Sequence, residues 1–185
     1  MLLKTLVISV TSFIMALAPL AMTGSYASAK EKVEKTPASY AVVLKNTKGD
    51  VVGQALLSQS EGGVVVQLTV QGLKPGLHGI HFHEKGVCQP ADFVSAGDHF
   101  NPYGKKHGLQ NPKGPHAGDL ENLFADQNGH AQTSFITSRV TLEKGKKNSL
   151  RDEDGSALII HADEDDQMTD PSGNSGARIV CGEIK

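Results

Sequence analysis

Gly76-Leu77-His78-Gly79-Ile80-His81-Phe82-His83-Glu84 carries three histidines within six residues, and two of them, His81 and His83, are spaced i, i+2. In an extended strand that spacing sends both imidazoles to one face and Phe82 to the other. One apolar ring for a core and two ring nitrogens for a pocket is what a metal asks of a strand. A same-face pair by itself is also compatible with polar surface. The weight comes from His99, His107, His116, Asp119 and His161 further along. Six of the eight histidines and one carboxylate can be gathered into one constellation.

Working outward, Val64, Val66, Leu68 and Val70 alternate with Val65, Gln67 and Thr69, a period of two that predicts a strand with one apolar face. Tyr40–Leu44 and Val51–Ser58 read as earlier strands, with turns at Lys48-Gly49-Asp50 and Glu61-Gly62-Gly63. Lys74-Pro75-Gly76 leads into the histidine strand. From Glu84 to Leu120 the pattern stops, and Gly, Pro, Asn, Asp and His dominate. So long a loop in a compact domain is expected only where it has a function. A metal ion can order such a loop in place of an apolar core. Strand signals return at Ala131–Thr137, after the Asp126-Gln127-Asn128-Gly129 turn, and Ser138–Leu142 continues the pattern. Glu143–Asp154 reads as a charged loop. Ala157–His161 reads as a buried strand ending in a histidine, Ala162–Gly176 as a second long loop, and Ala177–Cys181 as the last strand. The expectation is an all-β fold, an eight-stranded Greek-key barrel or sandwich with two long functional loops.

Composition agrees. The 20 glycines and 8 prolines punctuate many short segments, as all-β chains do. A formal net charge of -2, with no basic run interleaved with aromatics, excludes a nucleic-acid partner. Residues 1–29 read as a signal peptide: Lys4 is the positive start, Leu6–Met22 is apolar but broken by Pro19, and Ala27-Ser28-Ala29 fits a cleavage site. The alternative is an uncleaved membrane anchor. With cleavage before Lys30, no stable membrane insertion is expected. The mature chain then has a charged leader, 30–37, and one domain, 38–185. Export to the periplasm, the cell wall or the exterior follows. In that setting two lone cysteines, Cys88 and Cys181, are most simply one disulfide, the alternative being two buried thiols.

The candidate ligands sort by chemistry. His107, His116 and Asp119 share one loop, with gaps of nine and three. Adding His99 gives three imidazoles and a carboxylate, a four-coordinate set acceptable to Zn(2+). His81, His83 and His161 come from strands, and His99 completes a four-imidazole set suited to Cu(II). His99 is wanted by both, and an imidazole deprotonated at both nitrogens can bridge two metals. Spacing alone supports a histidine-rich metal centre on a β scaffold.

The 76–84 stretch resembles the copper-ligand signature of the copper–zinc superoxide dismutases. Three further stretches resemble the same family: Ser95-Ala96-Gly97-Asp98-His99-Phe100-Asn101-Pro102, His116-Ala117-Gly118-Asp119-Leu120 and Gly173-Asn174-Ser175-Gly176-Ala177-Arg178-Ile179-Val180-Cys181-Gly182. The resemblance covers roughly residues 38–184. It implies the family's Greek-key barrel. It implies copper held by His81, His83, His99 and His161, and zinc held by His107, His116 and Asp119 together with the bridging His99. It further implies a Cys88–Cys181 disulfide, an Arg178 that attracts the superoxide anion, and an Asp165 that hydrogen-bonds ligands of both metals. The implied reaction is dismutation of superoxide to O2 and H2O2, with copper alternately reduced and reoxidised and His99 delivering a proton.

Other residues have plainer readings. His78 sits an odd number of positions from His81 and His83, so it reads as a structural hydrogen-bonding histidine. His130 reads as surface, and Asp163, Glu164 and Asp166 as a solvated acidic loop. The loop 162–176 carries no lysine, so further steering residues cannot be mapped there. Eukaryotic relatives run slightly further than Gly182-Glu183-Ile184-Lys185, with apolar residues that help form their dimer, and the charged Glu183 and Lys185 leave monomer and homodimer both open. The alternative function is a non-catalytic copper- and zinc-binding protein of the same fold. Four histidines at all four copper positions favour the enzyme, because a substituted ligand would leave that site mismatched.

Overall fold

Alternation along the strands builds the molecule, and the computed structural model describes residues 39–185. The predicted signal peptide, 1–29, and leader, 30–37, lie outside the described residues. Nine strands occur among the described residues: β1 Ser39–Asn46, β2 Val51–Ser60, β3 Gly63–Val70, β4 Gly76–His78, β5 Ile80–His83, β6 Leu123–Ala125, β7 Ala131–Thr137, β8 Ser156–His161 and β9 Arg178–Ile184. Seven form one antiparallel sheet in the order β5-β8-β9-β1-β2-β3-β7, and β4 pairs with β6. On β3 the period of two is visible as buried Val64, Val66, Leu68 and Val70. These side chains join Leu44, Leu57, Phe82, Leu123 and Leu158 in one core. A single core fed by all seven strands of the main sheet requires that sheet to curl around it. The β4–β6 pair spans the gap between the outer strands β5 and β7, so the curled sheet closes as a barrel.

The expectation of eight strands becomes nine, because Leu123–Ala125, which the sequence pattern does not mark as a strand, forms β6, and because Gly79 interrupts the histidine run. Its amide donates to the Asp163 carbonyl at 2.8 Å, and its carbonyl accepts from the His161 amide at 2.8 Å. The strand thereby changes partner from β6 to β8 at this residue. A side chain at Gly79 would come within 2.7 Å of the Ser175 Cβ. Ser138–Leu142 does not continue the sheet. After Thr137 the chain turns inward, burying Val140 and Leu142, and the Gln59 Oε1 accepts from the Leu142 amide at 2.8 Å. Internal burial outweighs the local strand pattern there.

Two long loops leave the antiparallel pair β5 and β8 from opposite ends, one between β5 and β6 and one between β8 and β9, and both fold back over the same strands. The first lies along β5 through isolated bridges His81–Asp119 and His83–His99. It also holds a short 3-10 turn, Val94–Ala96. A disulfide joins Cys88 to Cys181 on β9, with a Cα–Cα distance of 5.8 Å, across 93 positions. A small second cluster of Phe93, Ala96, Ala157 and Ile159 packs around it. Closing a loop of that length stabilises the fold by about 4–5 kcal/mol through chain entropy. Replacing both cysteines by serine is expected to lower the unfolding free energy by about that amount, read from the shift in denaturant midpoint.

Candidate metal centre

The pleat of β5 does what its sequence predicts. Phe82 faces the main core, while His81 and His83 face the loops and are fully buried. His161 ends β8 beside them, and His99 comes from the first loop. Ring centroids lie 4.0 Å apart for His81 and His99, 4.8 Å for His83 and His99, and 4.9 Å for His81 and His161.

Each ring has one nitrogen tied and one left over. The His81 Nε2 meets the Asp165 Oδ2 at 2.7 Å, the His83 Nδ1 meets the Gly97 carbonyl at 2.9 Å, and the His161 Nδ1 meets the Gly176 carbonyl at 3.1 Å. A ring nitrogen facing an acceptor carries the proton, so the opposite nitrogen presents a lone pair. Those opposite atoms, His81 Nδ1, His83 Nε2 and His161 Nε2, are buried without a hydrogen-bond partner, and so is His99 Nε2. Four orphaned imidazole nitrogens in one buried place are costly unless something accepts their lone pairs. A copper ion fits that need.

Asp119 collects the second group. Its Oδ1 lies 3.1 Å from His99 Nδ1, 3.1 Å from His107 Nδ1 and 3.3 Å from His116 Nδ1. Its Oδ2 accepts from the amides of Gly108 at 2.8 Å and His116 at 2.9 Å. Three imidazoles and a carboxylate converging in this way form a donor set that zinc accepts. His99 alone offers one nitrogen to each group. His81 also lies close enough to the Asp119 group to share it, but its Nε2 is committed to Asp165.

Burial governs the electrostatics. It lowers His81 and pushes His83 well below the ordinary histidine range. It also carries His99 down to about 4 and His161 down to about 3. These rings are neutral at pH 7, as a metal ligand must be. For His107 burial acts in the same direction, but the carboxylates of Asp119 and Asp165 outweigh it and raise the ring to about 9. Burial alone would raise Asp119; hydrogen bonds from His107, His116 and His99 outweigh it and hold the carboxyl well below the usual range.

Asp165 lies between the groups. Its Oδ2 takes the His81 ring and its Oδ1 the His107 Nε2 at 3.0 Å. Sequence reasoning missed what holds Asp165: the Asn122 carboxamide accepts from its amide at 2.9 Å and donates to its carbonyl at 2.8 Å. Asp170 was missed too, and its Oδ1 accepts from the His107 amide at 2.8 Å. Neither has a sequence signal, because an Asn or Asp in a loop is ordinary. Gly173 opens one of the stretches that resemble the family, and the structure gives the reason for a glycine there. An added Cβ there would lie 1.7 Å from Asp165 Oδ1 and 2.7 Å from His107 Nε2, and its φ of +62° disfavours any side chain. Gly173→Ala is expected to break the Asp165–His107 bond and weaken zinc binding by about 10–100-fold, measured by competition with a chromophoric chelator.

Arg178, the first residue of β9, donates from Nη1 to the Phe93 carbonyl at 2.9 Å. It lines an open cleft of about 980 Å³ together with His99 and His161. Lys85, Lys105, Lys106 and Lys147 also line this cleft, but five carboxylates balance the five cations. A local cation at the histidine cluster, rather than a net positive field, is what the cleft offers an anion. His78 joins neither set: its ring nitrogens lie 2.7 Å from the His161 and Lys74 carbonyls. His130 is exposed.

A family model described as copper/zinc superoxide dismutase matches residues 51–184. The copper–zinc superoxide dismutase 2 of Aquifex aeolicus (strain VF5) is 50% identical over 143 residues, 77% of this chain and 84% of that protein. The superoxide dismutase-like protein YojM of Bacillus subtilis (strain 168) is 45% identical over 157 residues, 84% of this chain and 80% of that one. A crystal structure of a superoxide dismutase-like protein from Bacillus subtilis superposes with a TM-score of 0.77 at 45% identity, covering 80% of this chain and 100% of that one. The Cu/Zn superoxide dismutase from Brucella abortus gives 0.66 at 28% identity, covering 80% and 100%. With a match that runs through the barrel from β2 to β9, the chain belongs to the copper/zinc superoxide dismutase family, oxidoreductases that act on superoxide.

Proposed function

We propose that this superoxide dismutase holds copper on His81, His83, His99 and His161 and zinc on His99, His107, His116 and Asp119. The observation that carries the assignment is the set of four buried, unpartnered imidazole nitrogens, His81 Nδ1, His83 Nε2, His99 Nε2 and His161 Nε2. The chemistry supplied by bound copper is one-electron acceptance and donation, which turns two superoxide anions and two protons into O2 and H2O2, while zinc keeps one oxidation state.

The chain's own residues do the rest. Arg178 draws the anion to the cluster, and its guanidinium stays charged at any working pH. The Phe93 carbonyl aims that guanidinium. His99 holds a proton at Nε2 when that nitrogen is free and passes it toward the reacting oxygen. Asp165 orients His81 and His107 through their far nitrogens, as partners beyond the ligands commonly do. Asp119 and the amides of Gly108 and His116 keep the long loop in place.

Export, by a cleaved signal peptide at 1–29, is supported by the disulfide, which persists in oxidising compartments. Among the described residues no helix is long and apolar enough to cross a membrane. Monomer and homodimer both fit the chain. The experiment is dismutation by the disulfide-bonded protein loaded with one copper and one zinc. Fast turnover that disappears when copper is removed supports the assignment. Absence of turnover at full copper loading overturns it.

A further inference from the structure

Asp119 is held at every polar atom, but by neighbours from different parts of the chain. Its carboxylate faces the three rings and two amides of its own loop. Its amide donates to the His116 carbonyl at 3.4 Å. Its carbonyl oxygen accepts instead from the Arg139 Nη2, at 2.5 Å. Arg139 lies just past β7, where the chain leaves the sheet and turns inward. Its amide donates to the Thr137 Oγ1 at 3.3 Å, and its carbonyl accepts from the Asn148 Nδ2 at 2.9 Å. The backbone from which the side chain springs is thus held on both sides.

A half-buried guanidinium costs solvation. A neutral amide could make one such bond at lower cost. The negative charges of Asp119 and Glu121 nearby offset part of that cost, and burial still holds the guanidinium below its ordinary value. The peptide on the other side of Asp119 is already pinned: the Phe82 amide donates to the Gly118 carbonyl and the Gly118 amide to the Phe100 carbonyl, both at 2.9 Å. Arg139 adds a side-chain hold on the peptide that follows.

We infer that Arg139, outside both ligand sets, is a positioning residue for zinc: it holds the Asp119–Leu120 peptide so that the carboxylate faces His99, His107 and His116. This rests on those four residues being the zinc set. A carboxylate ligand keeps its aim through the bonds that hold its backbone and side chain, and losing such a partner costs about 10–100-fold in metal affinity.

The test uses the metal-stripped, disulfide-bonded protein, with zinc affinity from chelator competition and cobalt(II) absorption as a reporter of the zinc geometry. Arg139→Gln is expected to bind zinc about tenfold more weakly and to shift the cobalt bands. Arg139→Lys, which keeps a charged donor on a different stem, is expected to fall between Gln and the parent. Asn148→Ala removes only the bond to the Arg139 carbonyl and leaves the guanidinium in place, so it should lower the melting temperature and shift the cobalt bands less than Arg139→Gln does. If the Gln variant fails to fold, the Lys variant decides, since parent-like affinity and spectrum there overturn the inference. Arg139→Gln matching the parent in both readouts, or Asn148→Ala shifting the bands equally, also overturns it. Asp119→Ala serves as the separate check on the zinc set, because it must abolish the cobalt bands whatever Arg139 does.

Discussion

His83→Ala removes superoxide dismutation while the barrel stays folded. His83 is fully buried, its Nδ1 spends its proton on the Gly97 carbonyl, and its Nε2 has no other partner. The ring therefore does little for the fold beyond filling space, and much for whatever accepts that lone pair. Its loss is expected to weaken copper binding by at least about a hundredfold, the upper end of what even an indirect partner costs. Activity should drop to background at limiting copper. Stability should fall by about 1–3 kcal/mol, as for a typical buried truncation. Zinc binding should survive, because the Asp119 group does not include His83. Activity assays at defined copper, with metal content measured in parallel, check both halves. Full activity in the copper-loaded variant would sink the copper assignment.

Asp119→Ala acts on the other group and on the loop as a whole. The carboxylate faces three imidazoles and accepts from two buried amides, Gly108 and His116. Removing it leaves those donors unsatisfied in the dry interior, at about 1–3 kcal/mol per buried group. From residue 99 to residue 120 only Phe100, Ala117 and Leu120 join the main apolar core. The metal-free protein should lose about 3–5 kcal/mol, the cost of breaking a buried charged pair, and zinc should no longer bind stoichiometrically. Hydrogen exchange should speed up across the segment from residue 99 to residue 120, with β1–β3 unchanged. Retention of stoichiometric zinc with parent-like exchange would contradict the reading. The low position of the Asp119 carboxyl gives the pH sign: its folded form binds its proton less readily than the unfolded chain. Its contribution is present above the ordinary carboxylate range and fades as pH falls below it.

Much of the site is legible along the strands. The face of Phe82 and the shared face of His81 and His83 follow from a two-residue period, and so does the buried row Val64, Val66, Leu68 and Val70. These are local consequences of backbone geometry and survive any arrangement of the loops. The loop histidines are different. Spacing leaves their partners open, and the family likeness, not the gaps, divides them into two sets. Local pattern also misleads at Ser138–Leu142, where burying Val140 and Leu142 outweighs strand propensity, and at Gly79, where one glycine changes the strand's partner.

The sequence by itself determined the all-β architecture, the metal-binding residue types and the strand faces, because each depends on neighbours within a few positions. Only the tertiary structure decided which ring nitrogens are tied and which are left for a metal. It named the two ligands that Asp165 joins, His81 and His107, 84 and 58 positions away. It alone set Arg139 on Asp119 from 20 positions away and Arg178 on Phe93 from 85 positions away. Those contacts join loops with no periodicity. Their geometry is fixed by how the closed barrel brings the loop ends together and by the rule that buried donors and acceptors must be satisfied.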